Sequence, residues 1–305
     1  MTTFERVRVA AVQATPVVLD AEATVDKAIR LIGDAADAGA ELVVFPECFV
    51  SLYPSGAWAA PAATWATGCD ELWERMWASS VDVNGPQIGR VVQACADREV
   101  AVAIGVNERE DARPGSLYNT LLVVSGEGVL NRHRKLMPTM HERVFHGVGA
   151  GDDLDVVALP SGARVGGLIC WENRMPLARW AVYQGGPQIW LAPTADDSES
   201  WIASMRHIAI ESGAFVVSVP QFIPASAFPA DFPLALPDGT DVFGRGGACV
   251  IGPNGAVIDG PLYDTEGMLV VDCELSDALH AKRYFDVIGH YSRADVLTPP
   301  KFEPR

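Results

Sequence analysis

The sequence has few basic residues for its length. Its 305 residues include 23 Lys and Arg against 39 Asp and Glu, which gives a formal net charge of −16 at pH 7. Proteins that bind nucleic acid usually have the opposite balance, because the phosphate backbone attracts cations. An anionic lipid surface would repel this chain for the same reason. The charge therefore argues against nucleic-acid and membrane partners and is compatible with a small neutral substrate.

Long apolar runs are absent as well. No stretch approaches the roughly 18 consecutive apolar residues that a membrane-spanning helix needs. The N-terminus, MTTFERVRVAAVQA, has neither the apolar core nor the cleavage site of a signal peptide. We therefore expect a cytoplasmic protein.

Closely spaced cysteines are also missing. The six cysteines lie at positions 48, 69, 95, 170, 249 and 273, so there is no CxxC pair for zinc or for dithiol chemistry. Several of them lie within apolar segments, such as Ala248-Cys249-Val250, and we expect reduced, buried thiols. His141 and His146 are five residues apart, whereas the zinc-protease pattern needs four. We expect no metal site.

Short apolar runs alternate with amphipathic segments, which indicates an α/β fold with stacked layers. A helix is predicted over 25–36, with Gly39 placed to end it, and a second helix is predicted near 86–98. A third is predicted over 201–209, with Asp196, Asp197 and Ser198 as candidate N-caps. Residues 222–243 read as a long surface loop. We see no linker, and predict one domain over 1–305 with a short tail after about 298. Strands are predicted at 6–14, 41–46, 100–106, 118–126, 155–159, 163–170, 189–195, 215–221, 248–259 and 267–275.

A cysteine ends one of these predicted strands. Cys170 lies in GGLICWENRMP, where Pro176 is suited to the first position of a following helix. A thiol at such a strand-to-helix turn is partly exposed and lies near backbone N–H groups, conditions that favour a thiolate nucleophile. The alternative is that Cys170 is one more buried cysteine, and its position leaves both interpretations open.

A carboxylate follows another strand. Glu47 comes after the apolar run ELVVFP, and Pro46 cannot extend a sheet ladder. Glu47 should therefore lie at the carboxyl edge of the sheet, where ligands gather in open α/β sheets, although such a residue can also face solvent.

A basic segment lies between them. In VLNRHRKLMPT, Asn131, His133 and Lys135 alternate onto one face. This segment could be a solvated edge strand. If Lys135 is buried instead, it needs a counter-charge, and Glu142 is near in sequence.

Aromatic residues cluster over 53–77. Trp73 and Trp77 share helical spacing with Leu72 and Met76, which favours core packing. Trp58 and Trp65 lie in an Ala/Pro-rich loop soon after Glu47 and could line an apolar pocket.

A carboxylate, a lysine and a thiol form a chemically coherent set. A cysteine nucleophile needs a base to accept its proton, and a carboxylate can do so. A lysine ammonium can stabilise the charge that develops on the attacked atom. Spacing alone does not show that the three groups meet.

Five segments, in this order, resemble the nitrilase superfamily of carbon–nitrogen hydrolases, and more specifically its nitrilase branch. The resemblance covers residues 7–298. The segments are VVFPECF (43–49), RKLMPTMHER (134–143), LICWENRMPLAR (168–179), LAPTADDSESWIASMRHIAIES (191–212) and GHYSRADVL (289–297).

The resemblance implies a four-layer αββα sandwich that brings these groups to one site. Glu47 would be the general base, Lys135 the electrostatic stabiliser and Cys170 the nucleophile. Glu142 would be a second glutamate that positions the lysine and helps to handle water, and Glu172 would be structural. The reaction would convert a nitrile and water to a carboxylic acid and ammonia through a thioimidate and a thioester, without a metal or an organic cofactor.

Some expectations concern the substrate and the competing functions. Tyr53, Trp58, Trp171 and Thr194 are our candidates for substrate binding, in an apolar pocket suited to aryl, arylaliphatic or medium aliphatic nitriles. An amidase or carbamoylase of the same superfamily is the main alternative, and a catalytically silent binding protein is a further one.

The resemblance also bears on assembly. It implies a homodimer through helices near 176–185 and 198–212. Many nitrilases have a longer C-terminal tail linked to spiral oligomers, whereas this chain ends eight residues after Leu297, and we do not expect long filaments.

Overall fold

Two β-sheets and their covering helices make up the structure, a computed structural model that describes residues 6–293 and 295–297. The tail predicted after residue 298 lies outside the described residues. The strands are β1 (Arg6–Gln13), β2 (Leu42–Val44), β3 (Ala101–Arg109), β4 (Leu117–Ser125), β5 (Gly128–Arg134), β6 (Val157–Ala158), β7 (Arg164–Gly167), β8 (Ile189–Thr194), β9 (Phe215–Pro220), β10 (Phe222–Pro224), β11 (Val242–Ile251), β12 (Val257–Tyr263) and β13 (Gly267–Glu274). The helices are α1 (Ala21–Asp37), α2 (Gly56–Ala59), α3 (Cys69–Ala78), α4 (Pro86–Arg98), α5 (Pro176–Tyr183), α6 (Glu199–Ser212) and α7 (Leu275–Tyr284), with 3₁₀ turns at Ala60–Thr64, Met140–Val144, Cys170–Arg174 and Ala225–Ala227.

The two sheets pack face to face. The first has the order β13-β1-β2-β3-β4-β5, and the second has the order β10-β11-β9-β8-β7-β6 with β12 paired to β11. Successive side chains of a strand point to opposite faces. In β1, Val9 and Ala11 enter the core between the sheets, whereas Ala10 and Val12 face the outer helices. Both faces of β1 are therefore buried, as its continuous apolar run requires.

Helices cover the outer face of each sheet. In α1, the buried residues Val25, Ala28 and Ile32 recur at helical spacing and pack with α4 onto the first sheet. Trp201 and Met205 of α6 pack with α5 onto the second sheet. The layers are thus α, β, β, α, and the predicted sandwich is confirmed. None of the helices in the described ranges has both the length and the hydropathy that crossing a membrane requires.

Strand direction brings the functional segments together. In the first sheet, β2 is parallel to β3, and the antiparallel β4 lies between β3 and β5, so β2 and β5 run the same way. In the second sheet, β7 and β8 are parallel. Glu47 follows β2, Lys135 follows β5, Cys170 follows β7, and Thr194 ends β8.

Two predicted strands differ from the structure. The strand predicted over 163–170 ends at Gly167, and Cys170 begins a 3₁₀ turn; Leu168 and Ile169 are apolar because they are buried, not because they extend the ladder. The segment predicted as one strand over 248–259 is a hairpin of β11 and β12. Its turn contains Asn254 and Gly255, and Gly255 has a φ of 77°, which a glycine adopts readily.

The other predictions agree well with the observed elements. Ser198 is the N-cap of α6, and its Oγ accepts a hydrogen bond from the Trp201 N–H. Trp73 and Trp77 lie on α3. The segment 222–243 is mostly irregular apart from β10, one 3₁₀ turn and the first two residues of β11.

Candidate active site

Lys135 is buried between two carboxylates. Its Nζ donates to Glu47 Oε1 and to Glu142 Oε2, each at 2.7 Å, and all three side chains are fully enclosed. An unpaired ammonium in this position would be very costly, so the two carboxylates stabilise the buried lysine. The predicted alternation of β5 holds: Arg132 and Arg134 point the other way and pair with Glu108. Lys135 is therefore not part of a solvated edge strand.

Asn119 connects the two carboxylates and is not among the predicted site residues. Its Nδ2 donates to Glu47 Oε1 at 2.7 Å and to Glu142 Oε1 at 2.8 Å. Asn119 lies on β4, next to β5. The only signal in the sequence is a polar residue within the otherwise apolar run YNTLLVV, which by itself identifies no partner.

Glu142 is surrounded by donors. Besides Lys135 and Asn119, it accepts hydrogen bonds from the Thr139 N–H at 2.8 Å and from Tyr53 Oη at 3.3 Å. His146 lies 3.3 Å away through Nδ1. Burial alone would raise the pKa of Glu142, but Lys135 and His146 outweigh it and hold that pKa well below its usual range. Glu142 is therefore a fixed anion that holds the lysine.

Glu47 is different. Its Oε1 is used by Lys135 and Asn119, whereas its Oε2 has no hydrogen-bond partner among the described residues. Burial raises the pKa of Glu47, Lys135 opposes that change, and the charge of Glu142 adds to it, so that the pKa lies above its usual value. A carboxylate with a raised pKa and a free oxygen is suited to accept a proton.

The backbone at Glu47 is held from two sides. Gln221 Nε2 donates to the carbonyl oxygens of Glu47 and Cys48 at 2.9 and 3.1 Å. On β3, Gly105 approaches so closely that a Cβ there would lie 2.3 Å from the Pro46 oxygen and 2.7 Å from the Glu47 Cα. Only glycine fits this contact.

Cys170 begins its 3₁₀ turn in a left-handed backbone conformation, with a φ of 50°. Its Sγ accepts hydrogen bonds from Thr194 Oγ1 at 3.2 Å and from the Ala195 N–H. The thiol is buried, and this burial, together with the charge of Glu47, raises the pKa of Cys170 to about 12, although Lys135 lowers it in part. The expectation of a partly exposed thiolate is wrong, because the neighbouring segments cover the turn. Burial at this position therefore favours the neutral thiol over the thiolate.

A cavity of about 500 Å³ opens onto Cys170. Tyr53 and Trp171 line it, as predicted, but so do Arg174 and Asp196. Asp196 Oδ2 accepts a hydrogen bond from Trp171 Nε1 at 2.8 Å and lies 3.2 Å from Arg174 Nη2. The lining is therefore mixed rather than apolar, which corrects the expectation drawn from the aromatic cluster.

The remaining candidates for substrate binding lie elsewhere. Thr194 is buried behind the cavity and contacts Cys170, whereas its neighbour Ala195 lines the cavity. Trp58 is buried among aromatic rings and lies at a separate cavity of about 20 Å³ next to Tyr53. Trp65 is 97% exposed.

Known proteins resemble this chain in sequence and in fold. The family model described as carbon-nitrogen hydrolase matches residues 8–283. An aliphatic nitrilase of Sinorhizobium fredii is 43% identical over 293 residues, covering 95% of this chain and 94% of that protein. Nitrilase 1 of Arabidopsis thaliana is 42% identical over 300 residues, covering 95% and 85%. A bifunctional nitrilase/nitrile hydratase of Nicotiana tabacum is 41% identical over 300 residues, covering 96% and 85%.

Solved structures agree at the level of the fold. The Caenorhabditis elegans NitFhit protein superposes with a TM-score of 0.74 at 20% identity, covering 96% of this chain and 66% of that one. Nit3 of Saccharomyces cerevisiae, a member of branch 10 of the nitrilase superfamily, gives a TM-score of 0.72 at 17% identity, covering 95% and 97%. On the extent of the family match and the identity to these relatives, this chain belongs to the carbon–nitrogen hydrolases of the nitrilase superfamily, in its nitrilase branch.

Proposed function

We propose that this protein is a nitrilase that hydrolyses small organic nitriles to carboxylic acids and ammonia, with Cys170 as the nucleophile. The observation that carries the proposal is that the buried thiol of Cys170 lines a cavity and is influenced by the charge of the buried Glu47, whose Oε2 has no hydrogen-bond partner among the described residues. The curated relatives at about 40% identity bear the name nitrilase, which supports nitriles as the substrate.

The first stage forms the covalent intermediate. Glu47 accepts the Cys170 proton as Sγ attacks the nitrile carbon, and the same proton is delivered to the nitrile nitrogen, which gives a thioimidate. Lys135 stabilises the charge that develops on the nitrogen, because its ammonium is fixed in place by Glu47 and Glu142 before the substrate binds.

The second stage releases the products. Glu47 activates a water that adds to the thioimidate carbon, and the resulting tetrahedral adduct expels ammonia, leaving a thioester. A second water then hydrolyses the thioester to the acid and restores the thiol. Two waters are consumed for each nitrile, and no redox step is involved. Glu142 remains ionised throughout and holds Lys135, as its low pKa favours.

The test is ammonia release with identification of the product. Aliphatic, arylacetic and aromatic nitriles, each with the matching amide, are given to the wild type and to Cys170→Ala. We expect acid and ammonia from nitriles with the wild type only. Turnover of amides alone would move the protein to the amidase function, and turnover by Cys170→Ala would overturn the assignment of the nucleophile.

A proposal on assembly and compartment accompanies this function. The exposed faces of α5 and α6 carry Leu177 and Ile210, which are about half exposed, at 51% and 50%. The homodimer through these helices is the arrangement that membership of the family implies, and Leu177 and Ile210 are apolar residues that such an interface would cover. All six cysteines are unpaired, which supports a reducing compartment such as the cytoplasm. Analytical ultracentrifugation of the wild type and Leu177→Glu tests the dimer, and a wild-type monomer would contradict it.

A further inference from the structure

A second buried polar network lies behind the proposed active site. It consists of His133, Asp153 and Glu172, none of which lines the cavity at Cys170. His133 precedes Lys135 by two residues, and Glu172 follows Cys170 by two residues. The network therefore lies between the segments that carry the lysine and the nucleophile.

Glu172 joins the two segments directly. Its Oε2 accepts a hydrogen bond from the Ile169 N–H at 2.8 Å, next to Cys170. Its Oε1 accepts one from the Leu136 N–H at 2.5 Å, next to Lys135. A single buried carboxylate thus fixes the spacing between the backbones on which both groups depend.

His133 links Glu172 to a second carboxylate. Its Nε2 lies 3.0 Å from Glu172 Oε2, and its Nδ1 lies 2.8 Å from Asp153 Oδ1. An ionised carboxylate only accepts hydrogen bonds, so the imidazole has to donate at both nitrogens and carry a positive charge. Burial lowers the pKa of His133, but the two carboxylates raise it by more than burial lowers it, so that the pKa is about 9.

Asp153 also binds the backbone of β5. Its Oδ2 accepts a hydrogen bond from the Arg134 N–H at 2.8 Å. The backbone amides on both sides of Lys135, at residues 134 and 136, are therefore bound to the two carboxylates that His133 joins.

We propose that His133, as an imidazolium between Asp153 and Glu172, is a positioning residue that sets Lys135 and Cys170 at their working separation. The proposal rests on the proposed function for its kinetic consequence, but the geometry does not depend on which substrate is turned over. Loss of the cation would leave the buried carboxylate of Glu172 and the partly buried carboxylate of Asp153 facing each other across the space of the ring, and both segments would move.

The first experiment compares His133→Gln with the wild type. We expect kcat for the best nitrile to fall by about 10²-fold with KM nearly unchanged, since a displacement of about 1 Å between reacting groups has this effect. The rate of Cys170 alkylation by iodoacetamide should fall as well. Tyr183→Phe is the matched control, because it also removes one buried hydrogen bond to a carboxylate, that of Glu211, and should leave both rates unchanged.

The outcomes separate the two proposals. A folded His133→Gln with wild-type kcat and alkylation would overturn the positioning role. A wild type that alkylates at Cys170 but hydrolyses no nitrile would contradict the proposed function, while the alkylation comparison would still test His133.

A measurement on the wild type covers the case in which the variant fails to fold. In ¹⁵N-histidine NMR at pH 7.5, with signals assigned by replacing the other histidines one at a time, both ring nitrogens of His133 should be protonated. A neutral ring would overturn the proposal.

Discussion

Glu47 and Glu142 accept hydrogen bonds from the same ammonium at the same distance of 2.7 Å, yet their pKa values move in opposite directions. The difference lies in the other contacts. Glu142 has further donors on both oxygens, whereas Glu47 has one oxygen without a partner among the described residues. This difference in environment is what the proposed function requires, with Glu47 as the base and Glu142 as the anchor of Lys135.

Replacing the base tests this division. Glu47→Gln should lower kcat by about 10²- to 10⁴-fold, the contribution expected of a general base. The charge of Glu47 also raises the pKa of Cys170, so removing that charge should lower this pKa and speed the alkylation of Cys170 by iodoacetamide near pH 7.5. Kinetics and intact-protein mass spectrometry measure both effects, with Cys170→Ala correcting for the other thiols. Unchanged rates would show that another group accepts the proton.

Removing the bridge between the carboxylates should destabilise the fold and shift the pH profile. Asn119→Leu has a similar volume but donates nothing, and we expect a loss of about 1–3 kcal/mol in the free energy of unfolding. The ionised form of Glu47 loses a hydrogen bond, so the acid limb of kcat/KM should move to higher pH.

Thr120→Val is the control for that experiment. Thr120 is the next residue on β4 and donates to Glu108, away from the site. The acid limb should not move in this variant. An unshifted limb in Asn119→Leu as well would contradict the role assigned to the asparagine.

Adding a methyl group at Gly105 should displace Glu47. Gly105→Ala forces apart backbones that approach within contact distance, and we expect a loss of about 1–3 kcal/mol in the free energy of unfolding, with a lower kcat. Gly89→Ala, on α4, is the control, because a Cβ there meets no atom within 4 Å. It should stabilise the protein by about 0.4–1 kcal/mol. Urea unfolding measures the stability of both variants. A Gly105→Ala variant with unchanged stability and kcat would show that β3 can shift without displacing Glu47.

The charge of His133 should make the free energy of unfolding decrease as the pH rises into the alkaline range. The pKa of His133 is about 9 in the folded protein and near the ordinary 6.5 when unfolded. The folded state therefore binds this proton more tightly, so the contribution to stability is complete below about pH 6.5 and is lost as the pH rises through 9. By linkage it amounts to on the order of 3 kcal/mol.

The measurement is urea unfolding of the wild type and His133→Gln at pH 6, 8 and 10. The difference between the two proteins isolates this group from others that titrate in the same range. It should be largest at pH 6 and small at pH 10. A difference that does not change with pH would mean that the ring is neutral in the folded protein.

Periodicity was enough to predict an α/β fold with stacked layers, because apolar alternation sets the strands. The four-layer sandwich and the shared site of Glu47, Lys135, Glu142 and Cys170 were implied only by the resemblance to the nitrilase superfamily. Asn119 could not be predicted in this way, because its role depends on which side chains β4 faces across the sheet. The burial of Cys170 was left open as one of two alternatives for a related reason, since segments distant in sequence cover the turn.

The mixed polar and apolar lining of the cavity could not be predicted from the sequence either. Aromatic residues near Glu47 suggested an apolar pocket, but Trp58 is enclosed by Phe228 and Phe232 from the irregular segment 222–243. Arg174 and Asp196, from two different loops, take part in the lining instead.

The left-handed backbone conformation of Cys170 bears on how such a sequence evolves. A left-handed φ at a residue with a Cβ costs about 1–3 kcal/mol, a sizeable part of the free energy that keeps a domain folded. Glycine would relax this strain, so a lineage selected for thermal stability alone would be expected to drift away from the thiol. With Cys170 as the nucleophile of the proposed reaction, the strained cysteine costs the fold stability and provides turnover.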